Sequence, residues 1–190
     1  MPTHPTSRIF PGREVCASIT PRTRHSVFRF SSYTALCVSF LALIPYTPLA
    51  THRCRAGDAV ITNAHGRLLA KFVVHAVGPY FFGGDTNQDS SPEAQMLANA
   101  YFAALARAQS VGAQSICFPA ISCGVRNCPH TLGAKIALAT VAAVLQEGRQ
   151  QGLLSRVEFV LAAKDALGLW QAELRGLSVA RSWDLTESDR

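Results

Sequence analysis

From Gly57 onward, short apolar runs alternate with longer segments whose apolar residues recur every three or four positions. Lys71-Phe-Val-Val-His-Ala-Val77, closed by Gly78-Pro79, reads as a strand stopped by a turn. Gly83 to Ser91 is polar and predicts a mobile loop. Ser91-Pro92-Glu93 then supplies an N-cap, a proline at the first helical position and an acid in the first turn. Ala94, Leu97, Ala98, Tyr101, Leu105 and Ala108 follow at the spacing of one buried helical face, and Gly112 is placed to end it. Gln114 to Phe118 predicts a second strand, Thr131 to Gln146 a well-buried helix, Arg156 to Leu161 a third strand, and Asp165 to Leu177 a last helix. Strand and helix in alternation imply a parallel sheet with right-handed crossovers, hence an α/β fold.

Residues 1–52 have a different texture. Charge makes the point: residues 1–56 carry seven arginines and one acid, Glu14, whereas residues 57–190 hold eleven basic and eleven acidic side chains. The formal net charge of +6 therefore lies in the first third of the chain. That is the pattern of a basic leader rather than of a charged surface, and it gives no reason to expect nucleic-acid binding. Ser31 to Ala50 is uncharged, with a dense apolar run from Ala35 to Ile44. Pro45 and the polar residues around it make a poor membrane span. A transit-like leader, a secretory segment cleaved near Ala50, and an N-terminus foreign to the domain all remain open. The expected division is a leader over 1–52, a folded domain over 53–177 and a polar tail over 178–190; the expected compartment is mitochondrial or cytoplasmic.

The loop Pro119-Ala-Ile-Ser-Cys-Gly-Val-Arg-Asn-Cys-Pro129 joins a strand to a helix. At the carboxyl end of a sheet, such a loop offers backbone N–H groups and a helix N-terminus to an anion. Ser122, Cys123 and Gly124 are small enough for close approach, and Gly124 is suited to a left-handed conformation. No Walker lysine and no Gly-x-Gly-x-x-Gly accompany it. The six cysteines (16, 37, 54, 117, 123 and 128) are irregularly spaced and read as free thiols. Cys123, Cys128 and His130 lack a fourth partner for zinc, so no metal is expected. Cys123 is weighed as a low-pKa thiol, His75 as a core histidine before a catalytic one, Trp170 as core, and Asp165 as a helix cap before a ligand contact.

Val73-Val-His-Ala-Val-Gly-Pro79, Leu97 to Tyr101, and Ser115-Ile-Cys-Phe-Pro-Ala-Ile-Ser-Cys-Gly-Val125 with Pro129 together resemble the macro domain family. The likeness runs from about Arg53 to about Leu174 and is closest to the branch that hydrolyses ADP-ribosyl esters or O-acetyl-ADP-ribose. It implies a three-layer α/β/α fold, here incomplete at its N-terminal strands. It also implies ADP-ribose or ADP-ribosylated proteins as partners, a monomer, and no cofactor. Ser122, Cys123, Gly124, Val125 and Arg126 match the family's phosphate loop.

Departures from the family bear on activity. Arg126 stands where an aromatic residue commonly follows the Gly-Val pair, Asn127 where Gly is common, and Ala162 where many relatives place an aromatic residue. A solvated loop arginine is the expectation for Arg126, with phosphate pairing as the alternative. Residues 1–52 contain no Asn-Ala-Ala-Asn run and no glycine cluster, so the family's catalytic groups have no counterpart and no catalytic residue is assigned. A hydrolase, a non-catalytic ADP-ribose binding module and a truncated, inactive product are the readings carried forward. The missing strands are expected to expose an apolar edge, which the leader's apolar run is suited to cover.

Overall fold

Local capping sets where the helices begin and end. Ser91 Oγ accepts from the Ala94 N–H at 3.0 Å, so helix α1 (Pro92–Ser110) starts where the Ser-Pro-Glu signal puts it. At its far end the Ala113 N–H returns to the Ala108 carbonyl and the Gly112 N–H to that of Gln109, with Gly112 at φ 67°. That is a Schellman stop, for which a glycine in the left-handed region is the favoured residue. Helices α2 (His130–Gly148) and α3 (Lys164–Gly176) lie within two residues of their expected limits.

This computed structural model describes residues 15–21, 34–39, 54–65, 68, 70–148, 154, 156–161, 164–177 and 183–189. Seven strands form one sheet: β1 (Val15–Pro21), β2 (Thr34–Ser39), β3 (Asp58–Asn63), β4 (Phe72–Val77), β5 (Ser115–Pro119), β6 (Arg156–Leu161) and β7 (Trp183–Asp189). Their order is β3-β4-β2-β5-β6-β1-β7. The three strands expected from Gly57 onward, β4, β5 and β6, are all present.

The sheet is mixed, which corrects the expectation of a parallel one. β2 runs parallel to β4 and β5, and β5 to β6. β3 pairs antiparallel with β4, and β1 antiparallel with both β6 and β7. For β3 the cause is the short connection to β4, too short for a crossover, so the chain doubles back; the ladder extends through Ala64 N–H to the Lys71 carbonyl at 2.9 Å.

Two of these strands come from the stretch read as a leader, and β7 from the stretch read as a polar tail. Residues 35–39 of the leader's apolar run lie in the middle of the sheet, between β4 and β5, rather than along its edge. The features that weighed on targeting, including Pro45 and Ala50, lie outside the described residues.

Burial along the strands has a period of two. Val74 and Ala76 on β4, Ile116 and Phe118 on β5, and Val157, Phe159 and Leu161 on β6 are buried on one face, while Cys117, Arg156 and Glu158 on the other are half-buried. Helix α1 packs on β3 and β4, α3 on β6 and β1, and α2 between α1 and α3. One helical layer on a sheet is thus in view; a second helical layer is not among the described residues. Aromatic contacts bind the layers: Phe118 lies 5.3 Å from Tyr101 and 5.7 Å from Phe159, and Trp170 lies 4.9 Å from Phe159. Trp170, assigned to the core from its spacing, is 2% exposed.

Replacing Ser91 by Ala should cost about 1 kcal/mol of stability, because the Ala94 N–H loses its acceptor while the core is untouched. Urea unfolding with a lowered midpoint and an unchanged slope is the expected result.

Candidate functional site

β4 and β5 point the same way on either side of β2, so the loops that follow them emerge at one end of the sheet. Gly78 and Pro79, which close β4, are buried. A β-carbon on Gly78 would overlap Ser122 Oγ and stand 2.7 Å from Ile121 Cγ2, so only glycine fits there. The glycine read as a turn signal is in fact a docking point between loops.

Side chains of the second loop supply donors to that docking point. Ser122 Oγ donates to the Pro79 carbonyl at 2.8 Å, and Arg126 Nη1 donates to the Gly78 carbonyl. In return the Phe81 N–H donates to the Arg126 carbonyl at 2.8 Å. The Arg126 guanidinium also lies 4.4 Å from the centre of the Tyr80 ring. Tyr101, fully buried on α1, fixes the loop's entrance: its hydroxyl accepts from the Ile121 N–H at 3.0 Å and donates to the Pro119 carbonyl at 3.5 Å.

Within the loop, the Cys128 N–H reaches the Ser122 carbonyl at 3.0 Å and the Asn127 N–H that of Gly124 at 2.9 Å. The turn is made by left-handed residues at Ser122 (φ 64°) and Asn127 (φ 58°) rather than at Gly124, where sequence alone places it. Asparagine tolerates that region through its short polar side chain, and Ser122 is held there by its bond to Pro79. Between these two positions the chain presents three successive N–H groups, on Gly124, Val125 and Arg126, and none has an acceptor among the described residues. Gly124 and Val125 are exposed, and a β-carbon on Gly124 would meet nothing within 4 Å. Consecutive unpaired N–H groups before a helix are a suitable cradle for an anion.

The five expected site residues are therefore neighbours that do different things. Ser122 is buried and structural, Gly124 and Val125 are open, and Arg126 is only 6% exposed. That burial overturns the solvated reading of Arg126: the carbonyls left at the end of β4 need donors, and the guanidinium supplies one. No carboxylate among the described residues pairs with it. Cys123 is not a low-pKa thiol. A hydrogen bond with the Cys128 thiol and burial both push its pKa well above the ordinary range, because they favour the neutral form.

His75 lies on β4, with Nε2 2.9 Å from Thr62 Oγ1 of β3, and burial lowers its pKa. His130 Nδ1 accepts from Trp170 Nε1 at 3.4 Å. The described residues contain no group of three metal-ligating side chains. Asp165 is exposed in the first turn of α3, and Ala162 lies outside the described residues. Sequence reasoning passed over Gly78, Tyr80 and Tyr101 as parts of the site; their roles depend on contacts across 20 residues or more, for which the local pattern carries no signal.

The geometry defines an α/β fold with an exposed strand-to-helix loop, and comparison with known proteins gives the family. Residues 45–137 match the Macro domain model. An O-acetyl-ADP-ribose deacetylase of Citrobacter koseri is 42% identical over 118 residues, a match covering 62% of each chain. A macro domain-containing protein of Caldanaerobacter subterraneus is 43% identical over 108 residues, 57% of this chain and 56% of that protein. The macrodomain of Oceanobacillus iheyensis, solved with ADP, superposes with a TM-score of 0.58 at 32% identity, covering 68% of this chain and 63% of that one. Over residues 45–137 the chain is thus similar to the macro domain family. Its match spans less than two thirds of the length of these relatives.

Tyr101→Phe should destabilise the fold by about 1–3 kcal/mol, since it strands the buried Ile121 N–H while leaving the packed ring in place. Denaturant unfolding checks this. The raised Cys123 pKa has a signed consequence: the thiol stays protonated at neutral pH, so its alkylation should be slower than that of a free thiol. The rate should still be rising with pH beyond about pH 10, where an ordinary thiol of pKa about 8.5 has levelled off; iodoacetamide labelling followed by mass spectrometry measures it.

Proposed function

We propose that this chain binds ADP-ribose, free or attached to protein, and that the loop Ser122–Arg126 grips its diphosphate. The observation that carries the reading is the run of three N–H groups on Gly124, Val125 and Arg126 without acceptors among the described residues. A diphosphate offers enough oxygen acceptors to satisfy all three at once. The α2 N-terminus and the buried Arg126 charge add a favourable potential at the same place. Ser122 and Cys123 shape the loop, and Val125 lines the opening. The structure with ADP of the Oceanobacillus iheyensis macrodomain supports the ligand class.

Hydrolysis of ADP-ribosyl esters or of O-acetyl-ADP-ribose is the second reading, favoured by relatives named O-acetyl-ADP-ribose deacetylase. Turnover requires a group able to activate water within hydrogen-bond reach of the reacting carbon. Around this loop, the Ser122 hydroxyl is committed to the Pro79 carbonyl, the Cys123 thiol is held neutral, and the Arg126 guanidinium is tied to Gly78. These side chains suit binding better than proton transfer. Binding is accordingly the function we assign.

Calorimetric titration with ADP-ribose should give a saturable heat. Gly124→Glu should weaken the affinity at least about tenfold, or 1.4 kcal/mol, with an unchanged melting temperature, because the new side chain meets open space and only its charge opposes the phosphates. Silence at millimolar ligand would sink the proposal, and so would a Gly124→Glu protein that binds as well as the parent. Release of acetate from O-acetyl-ADP-ribose would instead establish the second reading.

A further inference from the structure

Two thiols stand at the base of the phosphate loop, and the binding reading uses neither as a nucleophile. Cys123 and Cys128 lie on either side of Gly124–Asn127, drawn together by the hydrogen bond from the Cys128 N–H to the Ser122 carbonyl. Both sulfurs converge on one point beside α2. A β-carbon on Gly133 would overlap Cys123 Sγ and stand 3.5 Å from Cys128 Sγ. The absence of a side chain at Gly133 is what lets the two sulfurs come within hydrogen-bonding reach of each other. Each sulfur also lies 3.6 Å from a backbone carbonyl, Cys123 from Ile121 and Cys128 from Pro129, and its single S–H serves one acceptor at a time.

We propose that Cys123 and Cys128 are a redox modification site, forming a disulfide across the base of the loop that closes the phosphate cradle. The oxidant is a peroxide. Because burial and Cys128 hold the Cys123 proton in place at neutral pH, the reaction belongs to alkaline pH: there the Cys123 thiolate attacks one peroxide oxygen, the O–O bond breaks, and a sulfenic acid forms with loss of water. The Cys128 sulfur then displaces the second oxygen as water, so two thiols lose two electrons and two protons and one S–S bond is made. Cys123 goes first because it is half-buried, whereas Cys128 is 3% exposed.

A disulfide holds its sulfurs about 2.05 Å apart, well inside any thiol contact, so one residue must shift. Cys128 is anchored at the start of α2, and the shift therefore falls on Cys123 and on Gly124, the first of the three free N–H groups. That consequence rests on the binding reading above; the bond itself does not.

Trypsin cuts between the two cysteines at Arg126, and because the upstream peptide also holds Cys117, fragment ions of the linked peptide assign the bonded sulfur. The full chain is treated with hydrogen peroxide at alkaline pH, digested without reductant and mapped by mass spectrometry. The expected product links the Cys123 peptide to the Cys128 peptide; peptides that stay separate, or pair only with other cysteines, overturn the proposal. Oxidised protein should bind ADP-ribose at least about tenfold more weakly than reduced protein, with recovery after dithiothreitol. Cys128→Ser and Cys128→Ala should each keep their affinity in peroxide. A linked peptide with unchanged affinity overturns closure of the cradle. Reduced protein that binds no ADP-ribose refutes the binding reading instead, while the linked peptide still decides the thiol pair.

Discussion

The site depends on how two buried carbonyls find donors. β4 ends at Val77, and the carbonyls of Gly78 and Pro79 pass beyond the ladder without entering water. A buried carbonyl without a donor costs about 1–3 kcal/mol. β5 stands two strand spacings away, roughly 9.6 Å, because β2 intervenes. Beyond the strand ends the two loops meet, and side chains of the β5 loop serve both carbonyls, Ser122 reaching Pro79 and Arg126 reaching Gly78, while the Phe81 N–H bonds the Arg126 carbonyl directly. With those side chains turned inward, the N–H groups of Gly124, Val125 and Arg126 are left without acceptors among the described residues. The outward anion cradle is the consequence of an inward obligation.

Arginine suits position 126 for the same reason. A buried cation without a carboxylate carries a desolvation cost, which hydrogen bonds and ring contacts must offset. The guanidinium donates to Gly78 while its carbon lies over the Tyr80 ring, a combination that the point charge of lysine does not reproduce. Where the family commonly places an aromatic ring, this chain keeps a flat group but turns it into the fold. The site has gained a strut and a local positive charge, and its opening is lined by Val125.

Legibility in the sequence followed the range of each interaction. Helix α1 could be read almost to the residue, because Ser91, Pro92, Glu93 and Gly112 act on their own backbone neighbours. β4, β5 and β6 could be read from short apolar runs and turn residues. β3 could not: Val60 is exposed beside the buried Ala59, which blurs the alternation, and its place is set by pairing with β4. β1, β2 and β7 join the sheet through partners up to about 170 positions away, and no local pattern announces them. In the loop, residue types assigned the parts differently from the structure. Gly124 looked like the bend, yet the bend is at Ser122 and Asn127; Arg126 looked solvated, yet it is buried. Each error came from judging a side chain by its own propensity when a distant carbonyl decided the matter.

Charge distribution gives the cradle its character. Residues 57–190 are formally neutral, so this part of the chain sets up no large field to draw anions from a distance. What this part of the chain would offer a phosphate under the binding proposed above is local: three N–H dipoles, one helix terminus and one buried guanidinium. Such short-range terms reward an anion of the right shape and give little to a diffuse polyanion, whose binding grows with the number of basic residues it can touch.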